Sequence, residues 1–336
     1  MKIDIVATSG GLDPRETAVR AEREGFDGIW ASELKHDPFL SLGLAATVSE
    51  RIALGTSIAV SFARSPMTTA VLANDLQSLS GGRFLLGLGS QIKPHITRRF
   101  SMPWSHPAPR MREYVLALRA IWACWHDGFP LDFKGDFYQH TLMTPMFTPE
   151  PHGHGAPPVL LAGVGETMTK VAGEVADGFL CHAFTTERYL REVTLPALVR
   201  GRGRDLDGFE IVGSPFVAVG RTEEDIKAAA DAVRGQIAFY GSTPAYRPVL
   251  ALHGWDALGD ELHALSKAGR WAEMGGLITD EMLHAFAIVG DPAWAGRELV
   301  RRYGDVFTRA PLYTFSPTDP AVFAELVDAT RTAVPA

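Results

Sequence analysis

The stretch RIALGTSIAVSFARSP, residues 51–66, decides the fold of this chain. Residues 52–54 and 58–60 are apolar throughout, which is the pattern of a parallel strand covered on both faces. Gly-Thr-Ser at 55–57 interrupts this strand. Small and polar residues at such a place indicate either a bulge, where a ligand can approach the backbone, or a strand that ends early. The Ser-Pro that closes the stretch is typical of a helix start, so the segment predicts one strand and its crossover helix.

Strand and helix patterns alternate along the rest of the sequence. Asp-Pro and Ser-Pro pairs mark helix starts, and glycines mark helix ends. Such alternation predicts a parallel sheet whose strands are joined by helical crossovers. Eight strands are predicted, at residues 3–8, 26–32, 51–61, 83–88, 159–162, 178–182, 209–219 and 305–309. They predict an α/β fold, a (β/α)8 TIM barrel, as a single domain over residues 1–336 with insertions near 100–157 and 241–285.

The composition narrows the class of protein. The chain has 336 residues, of which 46% are hydrophobic and 21% charged, as in soluble globular proteins. A formal net charge of -7 and the lack of a basic run argue against a nucleic-acid partner. Cys124 and Cys181 are too few for a disulfide framework or a metal cage. With no leader-like N-terminus and no apolar run of about 20 residues, we expect a cytoplasmic protein without a membrane partner.

Candidate proton-transfer groups follow the second predicted strand. Glu33 and His36 lie in the segment SELKHDP, at the end of the barrel where active sites are found. Histidine titrates near neutral pH, and burial can raise a glutamate towards it, so the pair is suited to proton transfer. Asp37 with Pro38 is instead typical of a helix N-cap. We therefore predict Glu33 and His36 as catalytic residues.

Two further segments predict a site for an anionic ligand. GLGSQIKPH, at the end of the fourth strand, has a Gly-x-Gly that lets a ligand approach the main chain, with cationic side chains close behind. AGVGET, after the fifth strand, places glycines at a helix N-terminus, where free N–H groups favour phosphate. The predicted binding residues are Gly89, Ser90, Gln91, Lys93, His95, Arg98, Ala162, Gly163, Val164, Gly165 and Thr167.

Other familiar sites are not supported by the sequence. Met168 stands where a dinucleotide fingerprint requires its third glycine, so a Rossmann site is rejected. The chain also lacks a G-x-S-x-G elbow, a Walker A loop and an H-E-x-x-H motif. His152 and His154, among glycines and prolines, are more typical of a solvated linker than of a metal pair. We therefore predict no metal site.

Taken in order, the motifs resemble the luciferase-like monooxygenase superfamily, and within it the oxidoreductases that use the deazaflavin coenzyme F420. The similarity covers residues 1 to about 330. It rests on GFDGIW at 25–30, Glu33, HDPF at 36–39, LGTS at 54–57, RSP at 64–66, SGGRF at 80–84, LGLGS at 86–90 and AGVG at 162–165.

The resemblance implies a cofactor ring that lies against a bulge at the end of the third strand, often with a non-proline cis peptide. In this chain the bulge falls on Ser57 and Ile58. The family's acidic residue falls on Glu33, but the His that follows it in several members is replaced by Leu34, which makes His36 the nearest substitute. Contacts to the ring edge and tail are implied for residues 89–91, and contacts to the phosphate for residues 162–167.

The activity implied is hydride transfer between F420 and a small, fairly apolar organic substrate. The substrate is expected over the ring face opposite the bulge, near Glu33 and His36, with walls from Phe62, Trp104 and the insertion at 241–285. The alternatives are an FMN-dependent luciferase-like monooxygenase and a non-catalytic flavin-binding protein. Because members of the family are commonly dimers packed through barrel helices, we also expect a homodimer.

Overall fold

The computed structural model describes residues 1–7, 12–312, 314–315 and 318–334. Thr8, the predicted end of the first strand, lies outside them. Ala59–Val60 continues the third strand after an interruption, and Phe133–Lys134 pairs with Gln139–His140 as a small hairpin. The other strands are Lys2–Val6 (β1), Gly28–Ala31 (β2), Ala53–Thr56 (β3), Phe84–Gly89 (β4), Val159–Gly163 (β5), Gly178–Cys181 (β6), Glu210–Gly213 (β7), Phe216–Val219 (β8), Ala287–Gly290 (β9) and Arg309–Leu312 (β10).

Helices follow most of the strands. The longer ones are Arg15–Arg23 (α1), Pro38–Ala46 (α2), Pro66–Leu79 (α3), Pro107–Asp127 (α4), Glu166–Val175 (α5), Leu195–Arg202 (α6), Glu223–Gly241 (α7), Asp256–Lys267 (α8), Asp280–Phe286 (α9), Pro292–Tyr303 (α10) and Pro320–Thr332 (α11). Short helical segments are Ser61–Ala63, His95–Arg99, Pro145–Phe147, Glu187–Tyr189, Leu190–Thr194, Pro244–Tyr246, Arg247–Ala251, Trp271–Met274 and Gly275–Leu277. No helix in the described ranges combines the length and the apolar composition needed to cross a bilayer.

Eight of the strands close into a parallel barrel, which confirms the predicted fold. Their order around the barrel is β1-β2-β3-β4-β5-β6-β7-β10, and β10 pairs with β1 to complete the ring. The register places Asp4 opposite Gly28 and Lys2 opposite Arg309. Most strand residues are buried, as their apolar sequences predict for strands covered on both faces.

The predicted seventh strand, residues 209–219, is wrong in one respect. It is divided into β7 and β8 at Pro215, which has no N–H to give to a strand ladder. The chain leaves the barrel at this point, and β8 pairs in parallel with β9, Phe216 opposite Ala287, in a separate two-stranded sheet. The sequence analysis did not identify β9.

The predicted eighth strand, residues 305–309, is shifted along the chain. Val306 and Phe307 donate their N–H groups to the carbonyl oxygen of Tyr303, so these residues form a turn at the end of α10. The barrel strand begins only at Arg309. Arg309, the last residue of the predicted strand, is therefore the first residue of the observed one.

A second hydrophobic core lies beside the barrel and is made largely by residues from β8 to β9. Val233, Ile237 and Leu262 are among its buried side chains. Phe184, from the segment after β6, belongs to the same core. We call the segment from β8 to β9, residues 216–290, the side module. It begins before the predicted insertion at 241–285, because that prediction treated β8 and α7 as part of the barrel.

A buried ion pair joins the first and last strands inside the barrel. Arg309 donates from Nε and Nη2 to the two carboxylate oxygens of Asp4, at 2.7 Å each. Trp30 donates from Nε1 to the same carboxylate at 2.7 Å. The side chains of Arg309 and Asp4 are 3% and 0% exposed. Gly28 leaves room for the pair, because an added Cβ would lie 2.6 Å from Arg309 Nη2.

Candidate active site

The interruption of β3 is a bulge and not an early strand end, because β4 pairs with the chain on both sides of it. The peptide bond between Ser57 and Ile58 is cis, as the family resemblance predicts. Thr56 replaces the missing ladder bonds: its hydroxyl donates to the carbonyl oxygen of Gly87 at 2.7 Å and accepts from the Gly87 N–H at 2.8 Å. A Cβ on Gly87 would lie 1.8 Å from the Thr56 carbonyl oxygen, so this approach requires glycine.

The segment after β2 holds the bulge from its other side. The N–H of Ser57 donates to the carbonyl oxygen of Ala31 at 2.8 Å, and the Ser32 hydroxyl donates to the carbonyl oxygen of Ser57 at 2.7 Å. The N–H of Glu33 donates to the carbonyl oxygen of Ile58 at 3.2 Å. Three backbone groups of the bulge therefore have hydrogen-bond partners in the protein, and these bonds hold its conformation.

The Glu33 carboxylate has hydrogen-bond partners within the protein. Its Oε2 accepts from Arg64 Nη1 at 2.6 Å and from the Val60 N–H at 2.7 Å, and its side chain is 8% exposed. Arg64 Nη2 also donates to Asp37 at 2.6 Å. Burial acts to lower the pKa of Arg64, but the hydrogen bonds and charges of the two carboxylates outweigh burial and raise it. Arg64 thus links the segment that follows the bulge to the loop after β2, which its position at a helix start did not reveal.

The structure does not bring the two predicted catalytic residues into contact. His36 is exposed on the loop after β2. Within the described part of the chain, the carboxylate of Glu33 has hydrogen bonds to Arg64 and Val60 and none to His36. Asp37 accepts from the N–H of Phe39 at 2.9 Å and caps α2, as predicted.

The end of β4 does meet the bulge. Gly89 is buried beside it, where an added Cβ would lie 2.7 Å from Ile58 Cδ1. Ser90 donates from its hydroxyl to the carbonyl oxygen of Gln91 at 3.1 Å. Gln91 has a φ of 61°, a left-handed conformation that few residues with a side chain adopt. The predicted site residues of this segment therefore lie at the same end of the barrel as Ile58.

The predicted cationic residues form an exposed edge of the barrel mouth. Lys93, His95 and Arg98 are all exposed after β4. Arg99, which the sequence analysis did not select, donates from Nη2 to the carbonyl oxygen of Leu34 at 2.7 Å. This bond ties the segment after β4 to the loop after β2. The acidic side chains of these two loops are paired with Arg64, so the exposed cationic side chains give the two loops a net positive charge.

The start of α5 has the features of an anion site. Gly165 is its N-cap, and no side chain caps the helix. A Cβ on Gly165 would meet nothing within 4 Å, so the space before the helix is open. The charge of Glu166 in the first turn is balanced by an ion pair with Arg200. The other predicted residues of this segment, Ala162, Gly163, Val164 and Thr167, are half-buried or exposed at the end of β5.

The sequence analysis missed a polar group at the end of β6. His182 accepts at Nδ1 from the Phe184 N–H at 3.0 Å, and its Nε2 lies 3.2 Å from the Tyr246 hydroxyl. The rings of Tyr240 and Tyr246 lie 4.8 and 4.6 Å from the imidazole. Burial lowers the pKa of His182 to about 4 and raises that of Tyr246 to about 12. Both are therefore uncharged near pH 7, and no sequence motif marks their contact.

One predicted substrate wall is wrong. Phe62 is 0% exposed and lies beneath Trp104, with ring centroids 5.7 Å apart. The guanidinium of Arg110 lies 4.5 Å from the centre of the Phe62 ring and donates to the carbonyl oxygen of Pro103 at 2.7 Å. Phe62 therefore supports the loop that carries Trp104 and does not line a pocket itself.

The prediction of a solvated linker is also wrong for His152. Its Nε2 donates to Asn74 Oδ1 at 3.1 Å, because Nδ1 already accepts from the His154 N–H. Its ring packs against that of His126, with centroids 5.2 Å apart, whereas His154 is exposed. Among the residues that the structure describes, no group of three or more His, Cys, Asp or Glu side chains is placed to hold a metal ion.

Comparison with known proteins identifies the family of this chain. The family model of luciferase-like monooxygenases matches residues 11–309. An uncharacterized protein of Mycobacterium tuberculosis, Rv1360, is 59% identical over 278 residues, 82% of each chain. A 5,10-methylenetetrahydromethanopterin reductase of Methanolobus tindarius is 28% identical over 298 residues, 86% of each chain.

The fold has a close counterpart among solved structures. The coenzyme F420 dependent tetrahydromethanopterin reductase from Methanopyrus kandleri is similar with a TM-score of 0.76, at 22% identity, over 97% of this chain and 96% of that one. This likeness confirms the barrel fold. Since the family model spans most of the sequence, the chain belongs to the luciferase-like monooxygenase family.

Proposed function

We propose that this protein is an F420-dependent oxidoreductase that transfers a hydride between the deazaflavin coenzyme and a small organic substrate. The observation that supports it most is the bulge, where Ile58 is backed by Gly89 and its backbone is held from β2 and β4. This arrangement offers a fixed surface to a flat ring. Among the relatives, the Methanolobus protein is a reductase and the Methanopyrus structure is that of an F420 dependent enzyme.

The residues at the barrel mouth fit such a coenzyme. The uncapped start of α5, with open space at Gly165, offers N–H groups to a phosphate. The exposed side chains of Lys93, Arg98 and Arg99 offer positive charge to an anionic tail. Both features lie at the carboxyl ends of barrel strands, as does the bulge.

Each part of the site has a separate task in this proposal. When bound, the coenzyme supplies the hydride chemistry, while the protein supplies position and electrostatics. Glu33 keeps the bulge in place through the Val60 N–H, and Arg64 balances its charge. His36, exposed on the same loop, is the candidate for proton exchange with solvent.

Fluorescence titration of the purified protein tests the cofactor. We expect F420 to bind at least about tenfold more tightly than FMN, a difference of about 1.4 kcal/mol, because the tail of F420 carries further anionic groups for the cationic edge beyond a phosphate such as FMN also has. Replacing Lys93 and Arg98 together by methionine is expected to weaken F420 binding and to leave FMN binding unchanged. Preferred binding of FMN would favour the monooxygenase alternative, and no binding of F420 would contradict the proposal.

The bulge can be tested by a single methyl group. In Gly89→Ala the new Cβ would lie 2.7 Å from Ile58 Cδ1, so the Ile58 side chain must leave its present position and the surface that it offers to the ring changes. We expect the dissociation constant for F420 to rise about tenfold, with a loss of stability of about 1 kcal/mol. Gly235→Ala is the matched control, because its Cβ would meet nothing within 4 Å in α7. An F420 affinity in Gly89→Ala equal to that of the control would argue against ring binding at the bulge.

A further inference from the structure

His182 directly follows β6, at the end of the barrel where the bulge lies, and its ring contacts Tyr240 and Tyr246 of the side module. Leu180, two residues earlier on β6, packs inside the barrel with Trp30 and Leu160. Since side chains alternate along a strand, His182 follows on the same inner side, one layer nearer the mouth. In the strand order, β6 lies on the far side of the ring from β2. His182 therefore faces the mouth from the side opposite the loop that carries Glu33.

The hydrogen bonds of His182 determine where the hydroxyl proton of Tyr246 goes. Nδ1 accepts from the Phe184 N–H at 3.0 Å and so carries no proton. A neutral imidazole then has its proton on Nε2, which donates to the Tyr246 oxygen 3.2 Å away. Because the Tyr246 oxygen accepts this hydrogen bond, the Tyr246 O–H group can donate a hydrogen bond to another acceptor. No acceptor for it is found among the described residues.

We propose that Tyr246, oriented by His182, donates a hydrogen bond to a carbonyl or hydroxyl oxygen of the substrate. This inference rests on the proposed function, because the oxygen that Tyr246 binds belongs to the substrate carbon that exchanges the hydride. The substrate is therefore a carbonyl compound or the corresponding alcohol. The hydride, with its two electrons, moves between that carbon and the coenzyme. The oxygen takes one proton from solvent when the carbonyl is reduced and returns one to solvent when the alcohol is oxidised. Tyr246 is not consumed and acts as a hydrogen-bond donor only. The side module thus contributes a residue to a site that is otherwise built by the barrel.

The same surroundings indicate an uncharged substrate. Among the described residues, His182 has ring contacts with Tyr240 and Tyr246 and hydrogen bonds with the Tyr246 hydroxyl and the backbone of Phe184. Arg247, next along the chain, is already paired with Asp260 at 2.6 Å. A donor without a free cation beside it suits a neutral oxygen better than a phosphate or a carboxylate.

Cyclohexanone is a suitable probe for this inference. F420 is first bound to the protein, and cyclohexanone is then titrated while the fluorescence of the coenzyme is followed. We expect saturable binding by the unaltered protein and about tenfold weaker binding by Tyr246→Phe, with an unchanged dissociation constant for F420. Tyr240→Phe is the matched control, because it removes a hydroxyl that is bonded to Gln236 and keeps both rings. It is expected to bind cyclohexanone within twofold of the unaltered protein.

Two results would overturn the inference while leaving the proposed function intact. One is equal cyclohexanone affinity in Tyr246→Phe and the unaltered protein, and the other is F420 binding without any binding of cyclohexanone. Failure of F420 itself to bind would remove both proposals. Nitrogen-15 NMR of labelled histidines gives a readout independent of turnover, with His182→Asn used to assign the signal. We expect the Nε2–H tautomer at pH 7, and a signal from the Nδ1–H tautomer would contradict the orientation of Tyr246.

Discussion

Replacing Asp4 by asparagine is expected to lower the free energy of unfolding by about 3–5 kcal/mol. The side chain keeps its shape, and Trp30 can still donate to its oxygen. Arg309, however, keeps its charge at a position that is 3% exposed and loses both of its hydrogen bonds to a carboxylate. The carboxylate that remains, Glu210, is 31% exposed and lies 3.9 Å from Arg309 Nη1, too far for a hydrogen bond. A buried charge that loses its hydrogen-bonded counter-ion costs far more than the net contribution of the ion pair itself.

Urea denaturation followed by circular dichroism measures this effect. Arg188→Met is the control, since the pair between Arg188 and Glu192 is about half exposed on both sides and is expected to contribute less than about 0.5 kcal/mol. The double variant Asp4→Leu with Arg309→Met is expected to be more stable than Asp4→Asn, because it removes both charges. A loss below about 1 kcal/mol in Asp4→Asn would show that the pair is not needed for the barrel.

Replacing Arg64 by methionine is expected to have the second largest effect. The Glu33 side chain, 8% exposed, would lose its charge partner, and we expect a loss of about 2–3 kcal/mol of stability. Because Glu33 also holds the Val60 N–H after the bulge, we expect the dissociation constant for F420 to rise about tenfold. Denaturation and fluorescence titration of the same preparation give the two values.

The double variant Arg64→Met with Glu33→Gln separates charge from geometry. Glutamine can still accept from the Val60 N–H, and it leaves no unpaired carboxylate, so we expect part of the stability to return. Arg188→Met is again the control for removing an arginine. If Arg64→Met bound F420 as tightly as the unaltered protein, the bulge would not depend on this link.

The barrel could be predicted because its signals are local. The apolar run of β3, the Ser-Pro before α3 and the Asp-Pro before α2 each depend on a few neighbouring residues. The pairing of β8 with β9 could not be predicted, since it joins segments that are far apart in the sequence. Pro215 was the one local sign that the strand at 209–219 had to divide.

The same distinction applies to the site. Ser57, Ile58 and Gly89 belong to motifs that can be read along the chain, and the structure places Gly89 against Ile58. The roles of Arg64 and His182 are defined by partners on other elements, Glu33 in one case and Tyr246 in the other. Single residues of common types give no pattern for such contacts, so only the folded arrangement reveals them.

The ion pair that closes the barrel also has a consequence for protein synthesis. Asp4 and Arg309 are 305 residues apart in the chain, so the carboxylate leaves the ribosome long before its arginine has been made. Contacts of such long range form slowly, and until then the seam between the first and last strands stays open. We therefore expect the nascent chain to expose apolar strand surface until translation has almost ended. Such exposed surface favours the binding of chaperones.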